Sequence, residues 1–130
     1  MILDTNGLSA VADGDPAIEP ALRRADVVAI PVVVLGEYLY GIRGSRERLR
    51  YERWLTQWMP TYRVLDVDQA TARHYAEIRE QLKSRGRPIP SNDLWIAALT
   101  VQHATSEHPQ PGDLVRIAFA GQPVAVAPRA

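Results

Sequence analysis

The chain has no cysteine. That excludes disulfides, thiolate metal centres and cysteine nucleophiles, and leaves oxygen and imidazole as the ligand types for any metal. It also lacks an excess of charge of either sign. Fifteen basic and fifteen acidic residues give a formal net charge of zero, which argues against a protein that holds nucleic acid mainly by bulk electrostatics. Long apolar runs are missing too: no stretch approaches the roughly 20 residues of a membrane span, and no basic region followed by an apolar run opens the chain. The expectation is a cytoplasmic protein that does not associate with membrane. No glycine-rich phosphate loop occurs, which speaks against a generic nucleotide-binding domain.

The 130 residues are enough to bury a core as one domain spanning 1–130. "MIL" reads as a short strand. Gly7 to Arg24 reads as two short helices about the turn Gly14-Asp15-Pro16, the second starting at Ala17. Val27 to Ile30 is a short β-branched run suited to a buried strand. Pro31 then opens a helix from Val32 to Arg43, with Gly41 and Gly44 marking its end. Tyr51, Trp54, Leu55 and Trp58 recur at helical spacing between Ser45 and Met59, and are most simply core.

Arg63 to Val67 reads as a further strand. Asp68 caps a helix from Gln69 to about Arg85, stopped by Gly86, and Ser91 caps another from Asn92 to His103. From about residue 104 the tail changes character, with four prolines and short apolar runs at 114–117 and 123–126 that suit edge strands. Alternating strands and helices predict an α/β fold with a mostly parallel central sheet flanked by helices.

In such sheets ligands bind beyond the carboxyl ends of the strands. Asp4 follows the first strand, Glu37 lies in the helix after the second, and Asp93 begins the helix after "RPIPSN". Three acids from separate segments can therefore converge at one end of the sheet. Carboxylates brought together repel one another and raise each other's pKa, so such a cluster calls for a compensating cation. With no thiolate and only three histidines, the oxygen-rich set favours Mg²⁺, with Mn²⁺ as the other candidate. Such an ion activates water and neutralises phosphodiester charge, which points to a nuclease. Glu37 is the most telling of the three, because a charge among Val32, Val33, Val34, Leu35, Tyr38 and Leu39 is costly if buried without a partner.

"MILDTN", "VVVLGEYLYGI" and "RPIPSNDLWIAAL" resemble, in order and separation, the PIN-domain ribonucleases, most closely the VapC-type toxins. The resemblance covers about the first hundred residues. It implies a PIN-like fold, Asp4, Glu37 and Asp93 as metal-site acids, Asn6 as a polar companion of the first aspartate in catalysis, and Thr5 as the small hydroxyl between them. It further implies a Mg²⁺-dependent endoribonuclease of a toxin–antitoxin pair, a homodimer that cuts cellular RNA and is silenced by a cognate antitoxin. The apolar strand and Thr/Ser-x-Asp motif that normally follow in the family are absent in that form. Glu107 and Asp113 are the two candidates for the fourth acid, and a member that binds antitoxin without cutting RNA is the alternative reading.

Other side chains have plainer expectations. Arg43, Arg46, Arg48, Arg50 and Arg53, interleaved with Glu47 and Glu52, suit a solvated helix face with local ion pairs. They and Arg87 are also candidates for phosphate or antitoxin contacts. His74 and His103 suit surface or capping roles rather than metal ligation. Trp54, Trp58 and Trp95 suit core or dimer contacts.

Overall fold

The computed structural model describes residues 1–104 and two further strands, Val115–Phe119 and Gln122–Val126. The chain divides into two compact units, Met1–Asp66 and Val67–Ala130.

In the first unit β1 (Ala29–Pro31) pairs in parallel with β2 (Arg63–Leu65), Ile30 lying opposite Val64. β1 also makes a single parallel bridge to Ile2. The Leu3 amide donates to the Ala29 carbonyl at 2.9 Å, and the Ala29 amide donates to the Met1 carbonyl at 2.8 Å. The expected opening strand is thus reduced to a bridge. The strand expected at Val27–Ile30 shifts toward Pro31 because Val27 is exposed, whereas Ala29, Ile30 and Pro31 are all buried.

α1 (Thr5–Ala12) starts directly after Asp4, two residues earlier than expected, and α2 (Glu19–Arg24) two residues later. α3 (Val32–Arg43) has the expected bounds and buries Val34, Tyr38 and Ile42, which recur at the four-residue spacing of one helix face. Gly41 does not end it: the helix runs on to Arg43, with Gly44 at its C-cap. α4 (Arg48–Trp58) begins three residues after Ser45. The Ser45 hydroxyl accepts from the Glu47 amide at 3.1 Å, a local turn that competes with helix at that point. Of the expected α4 core residues, Leu55 is buried, Tyr51 and Trp54 are half-buried and Trp58 is exposed. The Trp54 ring meets Tyr38 edge-on and Tyr62 at a tilt, each at 6.4 Å between centroids.

The second unit is built on α5 (Gln69–Ser84) and α6 (Ser91–Ala104). Ile78 and Leu82 pack with Leu94, Ala97, Ala98 and Val101. α5 has a full capping box: the Asp68 carboxylate accepts from the Thr71 amide, and the Thr71 hydroxyl accepts from the Asp68 amide, both at 3.0 Å. That hydroxyl also donates to Gln102 Oε1 at 2.6 Å, and Gln102 Nε2 donates back to Asp68 at 3.0 Å, closing a ring of bonds between the two helices. α5 ends where Gly86 takes a φ of 65°. The Arg87 amide then reaches the Leu82 carbonyl and the Gly86 amide the Lys83 carbonyl, the paired bonds of a Schellman stop.

Ser91 lies within α6 rather than capping it, since the Pro90 carbonyl accepts from the Leu94 amide at 3.1 Å. Trp95 stacks on Tyr75 at 4.1 Å. β3 (Val115–Phe119) and β4 (Gln122–Val126) pair antiparallel, in the region where edge strands are expected. Among the described residues no helix is long and apolar enough to cross a membrane.

Candidate active site

The first turn of α1 places two of the sequence-predicted groups. Asp4 is the N-cap, and its Oδ1 accepts from the Gly7 amide at 2.6 Å. A carboxylate is favoured there because the helix end presents unsatisfied amides and the positive end of its dipole. Gly7 fits this contact closely. A Cβ at that position would stand 3.0 Å from Asp4 Oδ1 and 3.3 Å from Leu3 Cδ2.

Thr5 then links this turn to α3. Its hydroxyl donates to Glu37 Oε2 at 2.7 Å across 32 positions of sequence. Glu37 is half-buried, beside rather than within the face formed by Val34, Tyr38 and Ile42. The desolvation cost expected of a charge in this apolar run is thereby limited: water reaches the carboxylate and a hydroxyl donates to it.

The first unit therefore brings Glu37 to the residue next to Asp4. Asn6 is exposed at the second position of α1. Asp93 belongs to the second unit, half-buried in the first turn of α6. Glu107 and Asp113 lie outside the described residues. Among the described residues no group of three or more histidine or acidic side chains is gathered for a metal ion. Mg²⁺ needs fewer protein ligands than that, because it is usually held by one or two carboxylates with waters completing its shell. Asp4 and Glu37, the latter bonded to the Thr5 hydroxyl, are oxygen ligands of that chemistry.

A cleft of about 300 Å³ extends from this point between α1, α3 and α4. Thr5, Ser9 and Asp13 line it at four-residue spacing along α1, facing Glu37, Tyr38, Gly41 and Ile42 of α3 and Tyr51 of α4. At its far end the Tyr51 hydroxyl donates to Asp13 Oδ1 at 2.8 Å. Tyr38 is 5% exposed, and its hydroxyl is buried with no hydrogen-bond partner among the described residues. Burial, reinforced by Tyr51 and the Asp13 carboxylate, pushes the Tyr38 phenol up to about 12, so it keeps its proton at neutral pH. A buried hydroxyl left without a bond costs about 1–3 kcal/mol.

Sequence reasoning takes Tyr51 as a residue of helical spacing and Tyr38 as one of the apolar neighbours of Glu37, and gives Asp13 no role. The four-residue recurrence of Thr5, Ser9 and Asp13 is the only trace of the cleft in the sequence. The arginines behave as expected of a solvated face. Arg48 pairs with Glu52 and Arg50 with Glu47, both at 2.7 Å, and all five from Arg43 to Arg53 are exposed. His74 and His103 are half-buried, the latter in the last turn of α6.

Comparison with known proteins places this arrangement in context. The PIN domain family matches residues 1–106. Ribonuclease VapC5 of Mycobacterium tuberculosis is 34% identical over 108 residues, 79% of this chain and 76% of that protein. Ribonuclease VapC2 of Rickettsia felis is 29% identical over 87 residues, 67% of this chain and 62% of the relative, so the match spans less than two thirds of that protein's length. Among solved structures, a DNA-bound VapBC from Salmonella typhimurium matches with a TM-score of 0.66 at 27% identity, over 76% of each chain.

Proposed function

The chain belongs to the PIN domain family, and from that premise we propose that it is a Mg²⁺-dependent endoribonuclease, the toxin member of a toxin–antitoxin pair. The observation that carries this reading is the Thr5 hydroxyl holding Glu37 beside the Asp4 cap. It ties Glu37 to the residue that follows Asp4 and supplies a hydrogen bond that orients the Glu37 carboxylate. The names of the relatives, ribonucleases in both cases, supply the reaction class.

In this reading Asp4, Glu37 and Asp93 hold the ion, and Asn6 orients the scissile phosphate. When bound, the ion supplies charge neutralisation at the phosphodiester and lowers the pKa of water. The Gly7 amide keeps one Asp4 oxygen engaged, which orients that carboxylate before the ion arrives. The Thr5 hydroxyl does the same for Glu37.

The antitoxin is the proposed protein partner and a second copy of the chain its proposed dimer mate, both in the cytoplasm. Two features support protein contacts. The solved Salmonella relative is a VapBC assembly, and Leu39 and Tyr40 of α3 and Leu49 and Trp58 of α4 leave large apolar side chains exposed.

Calorimetric titration of Mg²⁺ and Mn²⁺ into the parent, Asp4→Asn and Asp93→Asn chains tests the metal site, followed by cleavage of RNA by the same three. The expected result is binding and cleavage by the parent and loss of both in each variant. Absence of metal binding by the parent would replace this reading with that of an antitoxin-binding member that does not cut RNA.

A further inference from the structure

We propose that the cleft between the second half of α5 and the start of α6 seats the sugar–phosphate backbone of single-stranded RNA, with Arg79 and Lys83 holding its phosphates. This rests on the ribonuclease reading above and names where the strand is gripped outside the metal acids.

The cleft has a volume of about 420 Å³ and lies wholly within the second unit. Arg79, Lys83 and Ser91 are its polar lining, beside an apolar lining that includes Leu82, Ile89 and Leu94. Among the described residues no carboxylate lines it. Arg79 and Lys83 are exposed one turn apart on α5, where like charges repel. Among the described residues neither is paired with a carboxylate. The Arg79 guanidinium gives one donor to the Tyr75 hydroxyl at 3.0 Å, which leaves it further donors, and the Lys83 ammonium carries donors only. The occupant favoured by two such cations is an anion that accepts hydrogen bonds, a phosphate or a carboxylate.

Two observations favour the phosphates of a nucleic-acid strand. Trp95, one turn beyond Ser91, stacks at 4.1 Å on Tyr75, one turn before Arg79, and the Arg79 guanidinium lies 6.0 Å from the centre of the Tyr75 ring. Cations beside aromatic rings are the combination that holds single strands, the backbone on the charges and the bases on the rings. In addition, Ser91 and Leu94 bracket Asp93 in the first turn of α6. A strand seated in the cleft thus lies against the turn that carries a proposed metal acid. The loop that closes the cleft is held in shape by the bonds from the Gly86 and Arg87 amides and by Pro88 and Pro90, whose φ angles are fixed, so little ordering is needed on binding. Arg85 and Arg87 are exposed on the same loop and add to its positive field.

The test uses the intact chain. Fluorescence anisotropy of a labelled single-stranded oligouridylate, without divalent ions so that nothing is cut, gives the affinity of the parent, Arg79→Gln, Lys83→Gln and Arg24→Gln proteins over a series of NaCl concentrations. Arg24→Gln removes the same charge from α2, in the first unit. A labelled oligoglutamate is titrated in parallel, circular dichroism reports the fold of each variant, and RNA cleavage with Mg²⁺ follows.

The proposal expects Arg79→Gln and Lys83→Gln each to bind about fivefold more weakly, as for the loss of one hydrogen bond. Each should also lower the salt slope of log affinity by about 0.7, the value for one phosphate contact on a single strand. Arg24→Gln should do neither. Unchanged slopes in both cleft variants, an equal loss in Arg24→Gln, or no RNA binding by the parent at low salt overturns the proposal. So does binding of oligoglutamate in place of RNA that depends on Arg79 and Lys83, which would assign the cleft to an acidic protein segment. If RNA binds through Arg79 and Lys83 and the parent cuts none with Mg²⁺, the ribonuclease reading fails and the backbone-binding cleft stands.

Discussion

Replacing Thr5 with valine keeps the shape of the side chain and removes the hydroxyl that donates to Glu37 Oε2 at 2.7 Å. The helix itself is little affected, because threonine and valine have similar helix propensities. A hydrogen bond to a charged group contributes about 1.5–3 kcal/mol. Both partners here are half-buried, so water replaces part of it, and the expected loss of unfolding free energy is about 1 kcal/mol.

The effect on metal binding has a different origin. Without the Thr5 hydroxyl the Glu37 carboxylate loses one of the bonds that orient it, and refixing a glutamate costs up to about 1.5–2 kcal/mol. Mn²⁺ affinity should therefore fall about tenfold, at 1.4 kcal/mol per decade. Urea unfolding measures the first quantity and Mn²⁺ titration the second. Thr5→Ser, which restores the hydroxyl, should return both toward the parent. A Thr5→Val chain that binds Mn²⁺ within threefold of the parent, or a serine variant as weak as the valine one, would show that this hydroxyl does not organise the site.

Two further outcomes concern the ring of bonds that joins α5 to α6. Thr71 is fully buried, so Thr71→Val leaves the Gln102 carbonyl and the Asp68 amide without their partner; a loss of about 2 kcal/mol in urea unfolding is expected, and a loss below about 0.5 kcal/mol would contradict the network. Asp68 is held below its ordinary value of 3.8, first by the Thr71 amide, then by Gln102 and the Thr71 hydroxyl. Its contribution is thus complete above that value and fades as pH falls through the lowered folded-state value. The stability difference between the parent and Asp68→Asn should be constant at neutral pH and shrink in acid below 3.8; a difference that grew in acid would reverse the sign of the linkage.

By itself the sequence determined what acts over a few residues. Pro31 opened α3 and Gly44 closed it, the helical spacing of Tyr51, Trp54, Leu55 and Trp58 marked α4, and Asp68 started α5 and Gly86 ended it, whereas α1 starts at the Asp4 cap, two residues ahead of the expected Gly7. These are capping, helical periodicity and left-handed backbone geometry, each read from neighbours in the chain. Glu37 stood out for the same reason, as a charge inside an apolar run. Close to home, the Ser45 side chain overrode the helical spacing that predicted α4 to start there.

Tertiary structure decided which distant groups meet. Thr5 and Glu37 are 32 positions apart, Thr71 and Gln102 31, and Tyr51 and Asp13 38. No local propensity encodes such pairs. They follow from how whole helices pack, because the packing settles which turn of one helix faces which turn of another. The same packing buried the Tyr38 hydroxyl without a bond among the described residues, although the sequence marks Tyr38 only as one of the apolar neighbours of Glu37.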